Sequence, residues 1–223
     1  SFDQKPYRKL MMQSFGGTCH PSPSELTDFG KKLLADDPNN PGSLGIAISE
    51  AIEAVVKSGG KAKYALGSVL GHVLMHQTIN GNEAILQMEQ AGDYPDIIVG
   101  CTGGGSNLAG LMFPFLGQQL RGGQKIDIIG CEPLSCPSFT KGKYAYDHGD
   151  MARMTPLIKM HTLGSDFLPP ANHSGGLRYH GMSYHLSHLY DLGLMRAKAY
   201  GQKDCFEAGV IFGKQEGIIP APE

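Results

Sequence analysis

A short run of small residues carries the strongest chemical signal in the chain. Asp96-Ile97-Ile98-Val99-Gly100-Cys101 has the apolar, β-branched character of a strand. It leads into Thr102-Gly103-Gly104-Gly105-Ser106-Asn107, after which an apolar segment at helical spacing continues to Leu120. Consecutive glycines let a backbone approach a ligand closely. A helix that opens on Ser-Asn turns unpaired N–H groups and a positive dipole end toward whatever sits at its mouth. The combination reads as a phosphate cup. It lacks both the GxGxxG spacing of a dinucleotide fingerprint and the Lys-[Ser/Thr] ending of a Walker loop, which disfavours a nucleoside triphosphate. Such a turn alone is structural punctuation roughly half the time, and here the flanking strand and helix lift it.

The surrounding elements must place that loop. Ser22-Pro23-Ser24-Glu25 has the form of a capping box, with Leu26, Phe29, Leu33 and Leu34 following at helical spacing until Asp36-Asp37-Pro38 ends the helix. A second helix is expected from Ser43, burying Ile48, Ile52, Val55 and Val56 and stopping at Gly59-Gly60. Tyr64 to Leu70 reads as a strand and Ile79 to Gln90 as a weaker helix. After the glycine loop, Leu108, Leu111, Met112, Phe115 and Leu116 form one helix face, which Pro114 is expected to bend or interrupt. Ile126 to Cys131 is an apolar strand. Strand, loop, helix and strand make a βαβ unit, which puts the loop at the carboxyl end of a parallel sheet, where such folds bind ligands. Residues 132–180 show little periodicity and read as a long loop tract that shapes a site. Tyr184 to Leu194 and Lys203 to Lys214 read as closing helices.

Composition narrows the function classes. With 223 residues, 41% hydrophobic, and a net charge of −2, the chain is an ordinary globular sequence. Basic residues do not cluster, which argues against nucleic acid as a partner. The opening residues are too polar for a secretory signal and no apolar run reaches spanning length, so no membrane association is expected and the cytoplasm is the default. An odd count of five cysteines without a CxxC suits reduced thiols. His72 and His76 lack the Glu of HExxH, and His180, His185 and His188 have no ligand-spaced partner, so a zinc site is not expected. Ser1 and the apolar end at Ile218-Ile219-Pro220 suggest a fragment cut at both ends.

Gly103-Gly104-Gly105-Ser106-Asn107 followed by Ile129-Gly130-Cys131-Glu132-Pro133 resembles the pyridoxal-phosphate enzymes of fold type II. The closing Glu216-Gly217-Ile218-Ile219-Pro220-Ala221-Pro222-Glu223 is similar to the tryptophan synthase β chain. Several further segments resemble its second, β-like type: Lys5-Pro6-Tyr7-Arg8-Lys9, His20-Pro21-Ser22, Pro41-Gly42-Ser43-Leu44-Gly45, Gly164-Ser165-Asp166-Phe167 and Gly175-Gly176-Leu177-Arg178-Tyr179-His180-Gly181. The likeness spans essentially the whole chain.

The resemblance implies an α/β, three-layer architecture, a parallel sheet flanked by helices. Residues 1–42 would belong to an N-terminal domain with a mobile lid, and residues 43–223 to an incomplete domain that binds the phosphate of pyridoxal 5'-phosphate. It places that phosphate on Gly103, Gly104, Gly105, Ser106 and Asn107, with the Ser43 hydroxyl beside it. Glu223 would lie near the cofactor ring, and Asp166 would face the amino-acid substrate. Carbonyls at Gly103 and Phe167 would bind a monovalent cation, whose third family position falls on Pro169. The implied reaction is a β-replacement in which L-serine, or phosphoserine, loses its β-substituent and indole adds to give L-tryptophan. A homodimer is implied, and association with an α chain is disfavoured. The Schiff-base lysine falls upstream of position 1 and the serine that contacts the pyridine nitrogen beyond position 223, so the fragment by itself is expected to be inactive.

Local readings compete with these roles. Ser43 suits a helix cap, Asp166 a turn that accepts backbone N–H groups, and Glu223 a surface carboxylate. Cys131 and Cys136 read as buried thiols. Two other functions stay open: another fold type II enzyme, such as a threonine synthase or a serine or threonine dehydratase, and a non-catalytic phosphate-binding domain.

Overall fold

The computed structural model describes Phe2, residues 6–170 and residues 176–221. Four helices come first: α1 (Pro6–Ser14), α2 (Asp28–Asp36), α3 (Leu44–Lys57) and α4 (Gly71–Ala91). The glycine-loop unit follows as β1 (Ile97–Cys101), α5 (Ser106–Leu120) and β2 (Asp127–Pro133). The chain continues through β3 (Lys143–His148), β4 (Leu157–Thr162), α6 (Tyr184–Asp191), β5 (Arg196–Tyr200) and α7 (Gln202–Glu216).

The expected βαβ unit is present. β1 and β2 run parallel with Val99 opposite Ile129 and Cys101 opposite Cys131, and β5 joins the far side of β2, also parallel. Parallel pairing demands a crossover, and α5 supplies it by laying its apolar face on the sheet. Leu108, Met112, Phe115 and Leu116 bury there against Ile98 and Ile128, joined by Leu74 of α4 and by Met182 and Leu186 around α6. The other face of β1 presents Ile97 and Val99, which stay more than half exposed.

α4 and α5 lie close together because glycines face the contact. A Cβ on Gly81 would stand 2.4 Å from the Leu111 carbonyl oxygen, and one on Gly110 would stand 2.5 Å from that of Gln77. Pro114 does not interrupt α5, since its ring lies over Gly81, where there is no side chain to displace.

Several local expectations give way to tertiary bonds. No helix starts at Ser22; Thr27 caps α2 instead. The Ser22 hydroxyl, the Ser24 amide and hydroxyl, and the Thr27 hydroxyl all donate to the Glu50 carboxylate of α3. A distant carboxylate thus satisfies the groups that a local capping box would have used. Glu53, one turn on, accepts the Asp28 and Phe29 amides at 2.7 and 3.0 Å. Val56, expected inside, is 68% exposed. Tyr64 to Leu70 forms no strand among the described residues, though Val69 is buried against Ile48 and Tyr179. The tract 132–180 is not all loop, because β3 and β4 pair antiparallel within it. α1 and β5 carry too little apolar periodicity to show in the sequence. No helix among the described residues is long and apolar enough to cross a membrane.

Candidate functional site

The glycine loop sits at the carboxyl end of β1. The Thr102 amide still donates to the sheet, to the Cys131 carbonyl at 2.7 Å. Beyond it the pattern stops: among the described residues, the amides of Gly103, Gly104, Gly105, Ser106 and Asn107 donate no hydrogen bond, and the next one recorded runs from Ala109 to the Gly105 carbonyl. Gly105 is the N-cap of α5, at φ 92, and no side chain caps the helix. Successive free amides at the start of a fifteen-residue helix are an anion-binding arrangement.

The loop is held from behind. Ser183, the N-cap of α6, donates its amide to the Gly104 carbonyl at 3.0 Å. A Cβ on Gly104 would stand 2.9 Å from Val69 Cγ1, and one on Gly105 2.4 Å from Leu186 Cδ1. Side chains at these glycines would push the loop off its support, so the residue types fit a cradle for a phosphate-sized anion. Ser106 is buried, while the Asn107 side-chain amide leans toward Cys101 Sγ at 3.6 Å.

Ser43 caps α3, its hydroxyl accepting the Ile46 amide at 3.1 Å, and no hydrogen bond among the described residues joins it to the glycine loop. Asp166 lies in a turn closed by the Phe167 amide on the Gly164 carbonyl at 2.9 Å. Its carboxylate accepts no backbone amide among the described residues and instead pairs with the Arg153 guanidinium at 3.1 Å, with both side chains largely exposed. Arg153 adopts φ 59, unusual for a side chain of its size. Glu223 lies outside the described residues. Of the carbonyls expected around a cation, those of Gly103 and Phe167 have no recorded partner among the described residues, whereas that of Pro169 accepts Arg178 Nη2 at 3.1 Å.

Buried carboxylates that the sequence did not single out organise the surroundings. Asp150 accepts the Ser49 hydroxyl at 2.7 Å, the Thr155 amide and hydroxyl at 2.9 and 2.7 Å, and the Met154 amide at 3.1 Å. Burial pushes its carboxyl upward, but the bonds from Thr155, Ser49 and Met154 outweigh that and hold it below the usual range. Ser49 belongs to α3, so this loop ties the helix to the segment that presents Arg153. Glu132 accepts the Phe139 and Thr140 amides, each at 2.8 Å, and the Thr140 hydroxyl, folding the chain back beyond β2. The available signal was an acidic residue inside an apolar run: Glu50 and Glu53 in α3, Glu132 at the end of β2. Burial also raises the Cys131 thiol and lifts that of Cys136 to about 12.

The sequence pattern of the pyridoxal-phosphate dependent enzymes matches residues 3–223. The chain belongs to that family. Membership implies pyridoxal phosphate as the cofactor, and the expected α/β architecture with a helix-flanked parallel sheet is the one observed. Among similar curated proteins are the tryptophan synthase beta chain 2 of Aeropyrum pernix, 56% identical over 223 residues, and that of Thermotoga maritima, 57% identical over 223 residues. Each alignment covers 100% of this chain but 50% and 52% of those proteins, so the chain spans about half the length of the curated relatives it matches. A crystal structure of a T.th. threonine deaminase superposes with a TM-score of 0.49 at 16% identity, over 67% of this chain and 47% of its own, too distant a likeness to add to the argument.

Proposed function

We propose that this chain serves a pyridoxal-phosphate-dependent lyase of the tryptophan synthase β-like type, which joins L-serine, or phosphoserine, to indole and releases L-tryptophan. The observation that carries the reading is identity of 54–57% over the full chain to proteins named tryptophan synthase beta chain 2, with the glycine loop of the structure free to accept an anion.

The cofactor, when bound, supplies an electron sink for bond cleavage at the amino acid. The residues of this chain would bind and orient it. The amides from Gly103 to Asn107 receive the phosphate dianion at the positive end of α5, with the Ser43 hydroxyl as a further donor. Because the amides are fixed by α5, Val69 and Ser183 before any ligand arrives, binding costs little reorganisation. Glu223 is assigned to the vicinity of the ring. Asp166 would accept a hydrogen bond from the hydroxyl of the amino-acid substrate once it exchanges its Arg153 partner. Residues 1–42 would act in a lid that excludes water, and residues 43–223 in the phosphate-binding domain. The protein is expected to act in the cytoplasm as a homodimer, without an α chain.

Incubating the full-length protein with pyridoxal phosphate, L-serine and indole tests the reading directly. Chromatography should detect tryptophan formed in step with indole consumption. Pyruvate without tryptophan would favour a dehydratase instead.

A further inference from the structure

The resemblance sets a monovalent cation among carbonyls of Gly103, Phe167 and the residue at position 169, and the structure does not suit it. Pro169's carbonyl already accepts Arg178 Nη2 at 3.1 Å. Arg178 is half-buried, and its Nε is fully enclosed with no hydrogen-bond partner among the described residues. The two residues before it pack against the first glycine of the loop. A Cβ on Gly103 would stand 3.0 Å from the Gly176 carbonyl oxygen and 3.2 Å from Leu177 Cα. The segment 176–178 therefore spans from Gly103 to Pro169 and carries a fixed positive charge at the far end. That charge also reaches Cys136, whose thiol it favours in the ionised form against a larger upward push from burial.

A guanidinium is charged at every working pH and donates along fixed directions, whereas an alkali ion needs several oxygens converging from all sides. With the guanidinium seated on one of those oxygens, a second cation nearby would meet like-charge repulsion. We propose that Arg178 stands in for the monovalent cation. It anchors the carbonyl of Pro169 and so shapes the turn from Gly164 to Pro169 that carries Asp166. Arg178 is thus a positioning residue acting through Asp166. This rests on the proposed tryptophan-forming activity.

The test uses the full-length protein with pyridoxal phosphate, in a tetramethylammonium buffer and at matched ionic strength in KCl, NaCl or NH4Cl. Wild-type tryptophan formation and thermal midpoint should change by less than about twofold and about 2 °C across these salts. Arg178→Gln should lose about tenfold or more in kcat/KM, mostly through KM for L-serine, and regain part of it with KCl or guanidinium chloride. Its midpoint should also rise with KCl. Strong KCl activation or KCl stabilisation of the wild type would overturn the proposal, as would an Arg178→Gln protein indifferent to every cation. If the wild type makes no tryptophan under any condition, the activity reading fails, and the midpoints still decide the role of Arg178.

Discussion

The Ser183 amide and the Gly104 carbonyl, 3.0 Å apart, join the start of α6 to the middle of the glycine loop. This bond uses the carbonyl side of the loop and leaves the amide side free, which is the polarity an anion site needs. Gly105 completes the device, because φ 92 aims the amides that follow it and a Cβ there would meet Leu186 Cδ1 at 2.4 Å and Met182 Sδ at 2.6 Å. Gly105→Ala should cost about 1–3 kcal/mol of stability, from left-handed strain and displaced side chains, measured as a lower urea midpoint at constant slope. It should also weaken pyridoxal phosphate binding. An unchanged midpoint would show that the loop tolerates a side chain there.

Glu53 makes stability depend on pH on the acid side. The bond from Lys57 is the main influence lowering its carboxyl, burial opposes it, and the Phe29 and Asp28 amides add to the lowering, from 4.5 to about 2. A depressed folded-state value means the stabilisation is complete above about pH 4.5, declines as pH falls, and is gone below about pH 2. Glu53→Gln should cost on the order of 1–3 kcal/mol at neutral pH by weakening charge-assisted bonds. The gap between variant and wild type, followed by urea unfolding from pH 6 to 2.5, should narrow with acid. A constant gap would place the effect elsewhere.

β1 offers a comparison between neighbouring residues on opposite faces. Ile98 is 5% exposed against α5, while Val99 is 56% exposed. Ile98→Ala should destabilise by about 2–5 kcal/mol, and Val99→Ala by well under about 1 kcal/mol. Equal losses in thermal or chemical denaturation would mean that the outer face of the sheet is covered in solution.

Cys136 should resist alkylation. Its thiol donates to the Tyr179 carbonyl at 3.1 Å, and burial lifts its pKa to about 12, so almost no thiolate forms near pH 8. Iodoacetamide followed by peptide mass mapping should modify Cys19 and Cys205, which are partly accessible, well before Cys136. Early labelling of Cys136 would contradict the packing beneath Tyr179.

The βαβ unit was legible because its information is local. Apolar runs at 97–101 and 126–131 flank a glycine turn, and the helix face between them repeats at the right period. The Ser22 box misled because its true partner, Glu50, is 28 residues away on another helix. β3 and β4 escaped notice because neither alternates: β3 has no buried residue, and β4 buries Met160, His161 and Thr162 in succession. Within the candidate site the loop could be read from residue types, since glycines and a helix start are one physical object. The partners of Asp166 and Pro169 could not. Arg153 and Arg178 are ordinary loop arginines until the fold brings them to 3.1 Å from a carboxylate and a carbonyl.

The claim on which the function rests is that the amides from Gly103 to Asn107 receive the cofactor's phosphate. Amide NMR of the full-length protein, titrated with pyridoxal phosphate, tests it residue by residue. These amides should move downfield together as the cofactor saturates, and their hydrogen exchange should slow, as new bonds to an anion require. Cofactor binding that leaves all of them unshifted and exchanging as before would contradict the account.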